Sequence, residues 1–426
     1  MKTADYSNRA IALSRKIGGK ISLKPNFKIK SPKDFLIVYT PGVAAVSELI
    51  RKQPEASYAL TWRWNTIFII TNGTRVLGLG DIGPLASLPV MEGKSLLYKT
   101  LGGVNAVPIP IESKDEGEFV NVVKAISVAS GGIHLEDISS PFCFAVLERL
   151  QKELKVPVWH DDQQGTAAVS LAALINSFKL AGKDIKSARI ILVGSGAANI
   201  SLFNLLKDYG TDIGNVILID SKGVLYAGRD DAELISKENI WKYNAMRLSN
   251  KYDIKTVEKA FQGADAVVAF SRPGPGVIGP EWIRSMAKRP IVFANSNPTP
   301  EIFPHQAKRA GAYIVGTGRS DFPNQINNSL VFPGLFRGTL DSRTAEINNL
   351  LAIAAAEELA AFARKRGISP NKILPKMLDK DLYPSVAAAV AEEAVSQGIA
   401  SVKGSRNFFF KEAKKTIKLG GKSPAR

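Results

Sequence analysis

Two acidic pairs could do chemistry: Glu136-Asp137 in GGIHLEDI (131–138) and Asp161-Asp162 in VWHDDQQGT (158–166). Each follows a short apolar run, so each stands at the tip of a candidate strand. Carboxylate oxygens from two such tips suit a hard divalent cation, Mg²⁺ or Mn²⁺, with room left for substrate oxygens and water. The three histidines, His134, His160 and His305, have no cysteine among their neighbours and no zinc-type spacing. Adjacent side chains of an extended segment point to opposite faces, so Asp161 and Asp162 are expected to divide. One would face the cation and the other a positive group. Lys94, in VMEGKSLL (90–97) at an apparent helix start, is the best candidate for that group. Tyr39, in VYTPGVA (38–44), stands between an apolar stretch and a Pro-Gly turn. Taken singly, each acidic pair reads equally well as solvated loop charge.

A second kind of site is written in RIILVGSGAAN (189–199), an apolar strand that enters a glycine turn and then a helix. Gly194 and Gly196, with Ser195 between them and Ala197-Ala198 after, have the spacing for a tight turn. Such a turn lets backbone approach a pyrophosphate at a helix N-terminus. Asn199 occupies the third fingerprint position, where Gly or Ala lets helix and strand pack closely. The next candidate strand, VILID (216–220), ends in Asp220, placed to hold a ribose hydroxyl, whereas Lys222 could pair with a 2′-phosphate. The dinucleotide is therefore NAD or NADP. An ordinary strand-helix turn is the bland alternative.

The elements that must position these groups follow an α/β cadence. The β-rich runs of the first part are TIFII (66–70), VLGL (76–79), AVPIP (106–110) and VPVW (156–159), with VVKAIS (122–127) and CFAVLERLQKEL (143–154) as helices. A helix is expected from about Thr166 to Leu180. Strands follow at RIILV, VILID, AVVAF (266–270), IVFA (291–294) and AYIVG (312–316), and helices fill 341–400. The fold class is α/β with two domains. An N-terminal catalytic and metal-binding α/β domain covers 1–165, and a Rossmann-type doubly wound parallel sheet with C-terminal helices covers 166–400. A basic C-terminal helix and tail, 401–426, carries eight Lys/Arg against one Glu and so accounts for much of the net charge of +17. The remaining positive charge forms no dense stripe interleaved with aromatics, so nucleic-acid binding is the weaker reading and attraction of small anions the stronger. The N-terminal MKTADYSNRAIALSRKIGGK has no apolar core of a secretory signal, and no apolar run reaches the roughly 18 residues of a membrane span. With a single cysteine, Cys143, the chain is expected in the cytoplasm.

Taken jointly, the blocks resemble the malic enzymes, particularly the short prokaryotic type. YTPGVA, NGTRVLGLGDIGPLASLPVMEGK (72–94), GGIHLEDI, HDDQQGT, GSGAA, FANSNPTPEI (293–302) and GRSDFPNQINNSLVFPGLFRG (318–338) occur in that family's order, from about residue 35 to 360. The resemblance implies oxidative decarboxylation of malate to pyruvate and CO₂ with NAD(P)⁺ and Mg²⁺ or Mn²⁺. It makes Lys94 the general base, Tyr39 the general acid and Asp161 the carboxylate hydrogen-bonded to the lysine. Glu136, Asp137 and Asp162 would be the metal ligands. Arg75 would hold a substrate carboxylate, and Asn297, Asn327 and Asn328 would contact substrate or the nicotinamide end of the cofactor. Gln164, Ser195 and Asn199 depart from the short family pattern without removing a group the chemistry requires. Family and the apolar stripe Tyr6, Ala10, Leu13, Ile17 together suggest a homodimer. Malolactic or plain 2-hydroxy-acid chemistry is the alternative on the same site.

Overall fold

The structure, a computed structural model, describes residues 3–420. Two sheets organise it. The first is four-stranded and wholly parallel, in the order β2-β1-β3-β4, with β1 Thr66–Thr71, β2 Asn105–Pro110, β3 Ile133–Leu135 and β4 Val158–His160. The second contains β5 Ile190–Val193, β6 Val216–Asp220, β7 Gly223–Val224, β8 Ala266–Ala269, β9 Ile291–Ala294 and β10 Ile314–Thr317. Its order is β10-β9-β8-β5-β6-β7, with only β7 antiparallel. The chain enters at β5, winds out to β6, then returns to β8 and on to β10. The order thus reverses beside β5, where doubly wound sheets bind dinucleotides. Strands such as IILV and AVVA are buried along their whole length because helices cover both faces, which is why they read as unbroken apolar runs.

Most expected elements form. VVKAIS lies in the helix Glu116–Ser127, CFAVLERLQKEL in Phe142–Glu153, and the small-residue helix runs Thr166–Ala181. Two expectations are corrected. VLGL is not a strand but a tight turn closed by a bridge between Val76 and Gly80. Leu77 has a left-handed backbone (φ 50°), and Leu77 and Leu79 face solvent. Its apolar residues alternate with Gly78 and Gly80, which favour the turn over a ladder. The remaining strand of the first sheet is instead β3, only three residues long, which ends just before the Glu136-Asp137 pair. Lys94 is not at a helix start but in the last turn of the helix Gly83–Leu97. The basic C-terminal segment does contain a helix, as expected. Arg406–Lys418 is a helix that buries Phe409, Ala413 and Thr416, one face at helical spacing. Residues 421–426 lie outside the described part.

The late helices return to the first sheet. Phe332–Ser342 sets Phe332 and Phe336 against Tyr98, with ring centroids 4.7 and 5.6 Å apart, and one continuous core joins the two sheets. The N-terminal stretch behaves differently. It forms helices Thr3–Ile17, Pro32–Val38 and Val43–Lys52, yet none of the side chains described from residue 6 to 64 is buried. Phe35, Leu36, Ile37 and Tyr39 all face solvent. No helix among the described residues is long and apolar enough to cross a membrane.

Candidate active site

Parallel register brings the acidic pairs together. Leu135 of β3 pairs with His160 of β4, so Glu136 and Asp161 are the next residues at adjacent strand ends. The aspartates do divide, but not by strand alternation. β4 stops at His160, and Asp161–Gly165 form a π-helical turn leading into Thr166–Ala181. Gly165 permits that turn, since a Cβ there would lie 1.9 Å from Asp161 Oδ1. Asp161 is fully buried and accepts hydrogen bonds from Lys94 Nζ and, at 3.0 Å, from Trp159 Nε1. Asp162 turns the other way, and its Oδ2 accepts the backbone N–H of Asp137 at 2.8 Å.

Lys94 Nζ also lies 2.9 Å from Glu136 Oε2 and 4.7 Å from the centre of the Phe332 ring. Burial pulls this ammonium toward the neutral form, but Asp161, Glu136 and Asp162 outweigh it, and the net shift is upward. His134, Glu136 and Asp161 offer ligand atoms within 4.8 Å of one another, and the lysine charge contacts two of the three. The second such group is Glu136, Asp137 and Asp162. Burial, then the neighbouring carboxylates, push Asp137 and Asp162 above the usual carboxyl range. Burial also raises Glu136 despite Lys94. Asp137 adopts a left-handed backbone (φ 54°), and its buried Oδ2 has no hydrogen-bond partner. An all-carboxylate set with an orphaned oxygen and like charges in close quarters fits a hard divalent cation.

Arg75, Lys94, Glu136, Asp137 and Asp162 line one wall of a cleft of about 930 Å³. The opposite wall carries Gly196, Ala197 and Ala198 of the glycine turn, together with Asn297, Asn327 and Asn328. Gly194 shapes the turn beneath. Its φ is 92°, and a Cβ would lie 2.1 Å from the Phe270 carbonyl oxygen. Asn199 needs no glycine at its position, because its Nδ2 donates to the carbonyls of Val193 (2.9 Å) and Gly194 (2.8 Å) and ties helix to strand. A carboxylate, lysine and glycine turn thus face one another across a single cleft.

The family model for the malic enzyme NAD-binding domain matches residues 163–395, and that for the malic enzyme N-terminal domain matches residues 19–118. The chain belongs to the malic enzyme family. It is 41% identical to the bifunctional malic/malolactic enzyme of Bacillus subtilis over 92% of this chain and 94% of that one. Among solved structures, the malic enzyme of Entamoeba histolytica superposes with a TM-score of 0.93 at 41% identity, covering 98% of this chain and 87% of that one. The malic enzyme from Pyrococcus horikoshii gives 0.90 at 43% identity, covering 94% and 92%.

Some residues nominated from the sequence, by the malic enzyme resemblance or by the glycine-turn spacing, lie off the cleft. Tyr39 caps the short helix Pro32–Val38, is 69% exposed, and is not on the cleft wall of its own chain. Asp220 is committed elsewhere. Its oxygens accept from Arg229 (2.9 and 2.8 Å) and Lys242 (2.6 Å), while the Lys222 side chain pairs with Asp231 at 2.8 Å. Neither Asp220 nor Lys222 lines the cleft, nor does Ser195. Sequence reasoning missed Glu301, within FANSNPTPEI. It is fully buried and accepts from the backbone N–H and hydroxyl of both Ser271 and Ser296, fastening two loops of the cleft wall. It also missed His134 and Tyr98, which lie behind Glu136 and carry no spacing signal.

Proposed function

We propose that the chain oxidises (S)-malate to pyruvate and CO₂ with reduction of NAD⁺ or NADP⁺, using Mg²⁺ or Mn²⁺ held by Glu136, Asp137 and Asp162. The observation that carries this reading is Lys94 set between Asp161 and Glu136, beside three carboxylates, facing the glycine turn across one cleft. Hydride leaves C2 of malate for the nicotinamide, and the C2 hydroxyl proton must pass to a base. Lys94 serves only when neutral. The carboxylates around it favour its charged form, so it acts as a base only after giving up a proton, and Asp161, its hydrogen-bonded partner, orients or relays. A bound divalent ion would supply Lewis-acid polarisation at the C2 oxygen, through oxidation and through loss of CO₂ from C3. Arg75 offers a guanidinium on the same wall for a substrate carboxylate.

Protonation of C3 falls to Tyr39, which is not on its own cleft. The exposed apolar N-terminal arm is the kind of surface that a second copy covers. The reading is a homodimer in which the arm brings Tyr39 to the partner's cleft. Steady-state kinetics with malate, Mn²⁺ and each cofactor in turn test the activity. Pyruvate, CO₂ and net reduced cofactor in equal amounts are expected, whereas lactate without net reduction would refute it.

A further inference from the structure

We infer that His134 and Tyr98, neither of which reaches the cleft, are positioning residues that hold Glu136 ready for a divalent cation. This rests on the proposal that Glu136 is a cation ligand. His134 sits on β3 two residues before Glu136, so both side chains leave the chain on the same side. Both His134 and Tyr98 are completely buried. The Tyr98 hydroxyl lies 2.7 Å from His134 Nδ1, and His134 Nε2 lies 2.7 Å from Glu136 Oε2. The imidazole is ringed by Tyr98, Phe332 and Phe336, at centroid distances of 5.5, 5.8 and 6.1 Å.

A neutral imidazole has one N–H, and its partners decide which nitrogen carries it. An ionised Glu136 can only accept, which assigns the N–H to Nε2 and leaves Nδ1 to accept from the Tyr98 hydroxyl. Lys94 Nζ lies 2.9 Å from the same oxygen as an ion pair. The imidazole hydrogen bond and the lysine charge converge on Oε2, which holds the carboxylate and leaves Oε1 without a hydrogen bond. Ligand carboxylates held in this way bind more tightly, because the ordering cost is met before the ion arrives. Three aromatic rings stop the imidazole from swinging away, so the strut is rigid as well as hydrogen-bonded.

Titration of the full-length protein with Mn²⁺, following free ion by electron paramagnetic resonance, tests the inference with NAD(P)⁺ affinity as the control. His134→Leu is expected to weaken Mn²⁺ binding about 10- to 100-fold, the usual range for removing such a support. Tyr98→Phe keeps the ring packing but frees Nδ1 to take the proton, so a smaller loss is expected. His134→Gln, whose amide nitrogen reaches about as far as Nε2, should restore most of the affinity. Cofactor binding, on the other wall, should stay unchanged throughout. Wild-type Mn²⁺ affinity in folded His134→Leu and Tyr98→Phe would overturn the inference; if His134→Leu does not fold, wild-type affinity in Tyr98→Phe alone does so. Wild-type affinity in Glu136→Gln would instead overturn the ligand assignment itself.

Discussion

Asp161 and Asp162 are neighbours in sequence with separate surroundings, and the separation can be measured. Asp161 touches Lys94 and Trp159 and is shut away from solvent, whereas Asp162 lies on the cleft wall beside Asp137. Asp162→Asn is expected to weaken Mn²⁺ binding by at least about tenfold, on the scale of losing a charged ligand. Asp161→Asn should bind Mn²⁺ nearly as wild type but turn over malate at least about a hundredfold more slowly, as expected for losing an oriented proton partner. Equal loss of metal affinity in the two variants would defeat the division. The carboxylates also set a pH dependence. Glu136, Asp137 and Asp162 are all shifted above the value of roughly 4 for an unfolded carboxyl. Groups raised in this way favour folding below the unfolded value, and the contribution is lost as pH rises through the folded value. Metal-free protein should therefore lose stability from about pH 4 upward on their account, and Mn²⁺ should recover it. Thermal unfolding is expected to show a larger Mn²⁺-induced shift at pH 8 than at pH 5.5; equal shifts would contradict this.

At the scale of elements, what could be read from sequence followed chain locality. VILID, AVVAF, IVFA and the helix after HDDQQGT announce themselves by unbroken apolar content or helical period, and the structure places each within one or two residues. Glu136, Asp137 and Asp162 were nominated because acidic pairs at strand tips are conspicuous. β3 was legible only through the acidic pair at its tip, since three residues make no pattern of their own, and VLGL was misread because its apolar residues mask the glycines that bend it. The π-helical turn at Asp161–Gly165 had no local signature either; only the packing of Gly165 against Asp161 reveals it. That turn yields its own prediction. Gly165→Ala would force a Cβ into Asp161 Oδ1, and overpacking of this kind costs about 1–3 kcal/mol. Malate oxidation should fall much further than the melting temperature, because the displaced group is the partner of Lys94. Turnover close to wild type would show that the carboxylate has room to move. His134 and Tyr98 stayed illegible for a similar reason, since their meaning lies in a contact across 36 positions of sequence.

At the scale of the whole molecule, the N-terminal arm and the cleft make opposite demands. The cleft needs a proton donor, and the arm carries Tyr39 on a surface with nothing of its own to bury against. Co-expression of Tyr39→Phe and Lys94→Ala subunits separates the two geometries. If the arm crosses, the mix should recover about a quarter of wild-type activity, from one intact cleft in each mixed dimer. If Tyr39 serves its own chain, no mixture recovers anything.

The packing of the late helices has a consequence for how the protein is made. Tyr98, at the root of the site, lies under the rings of Phe332 and Phe336, and a Cβ at Gly103 would come within 3.0 Å of Ile417 backbone. Residues 94–162 supply the lysine and the carboxylates, yet the floor beneath them is laid by segments that begin 170 positions after Asp162. During synthesis that floor has not yet been made when the carboxylates emerge, and the first sheet waits with its underside open. The chain carries its ligands long before it carries a site, and a product truncated before the last helix would keep the motifs and lose the enzyme.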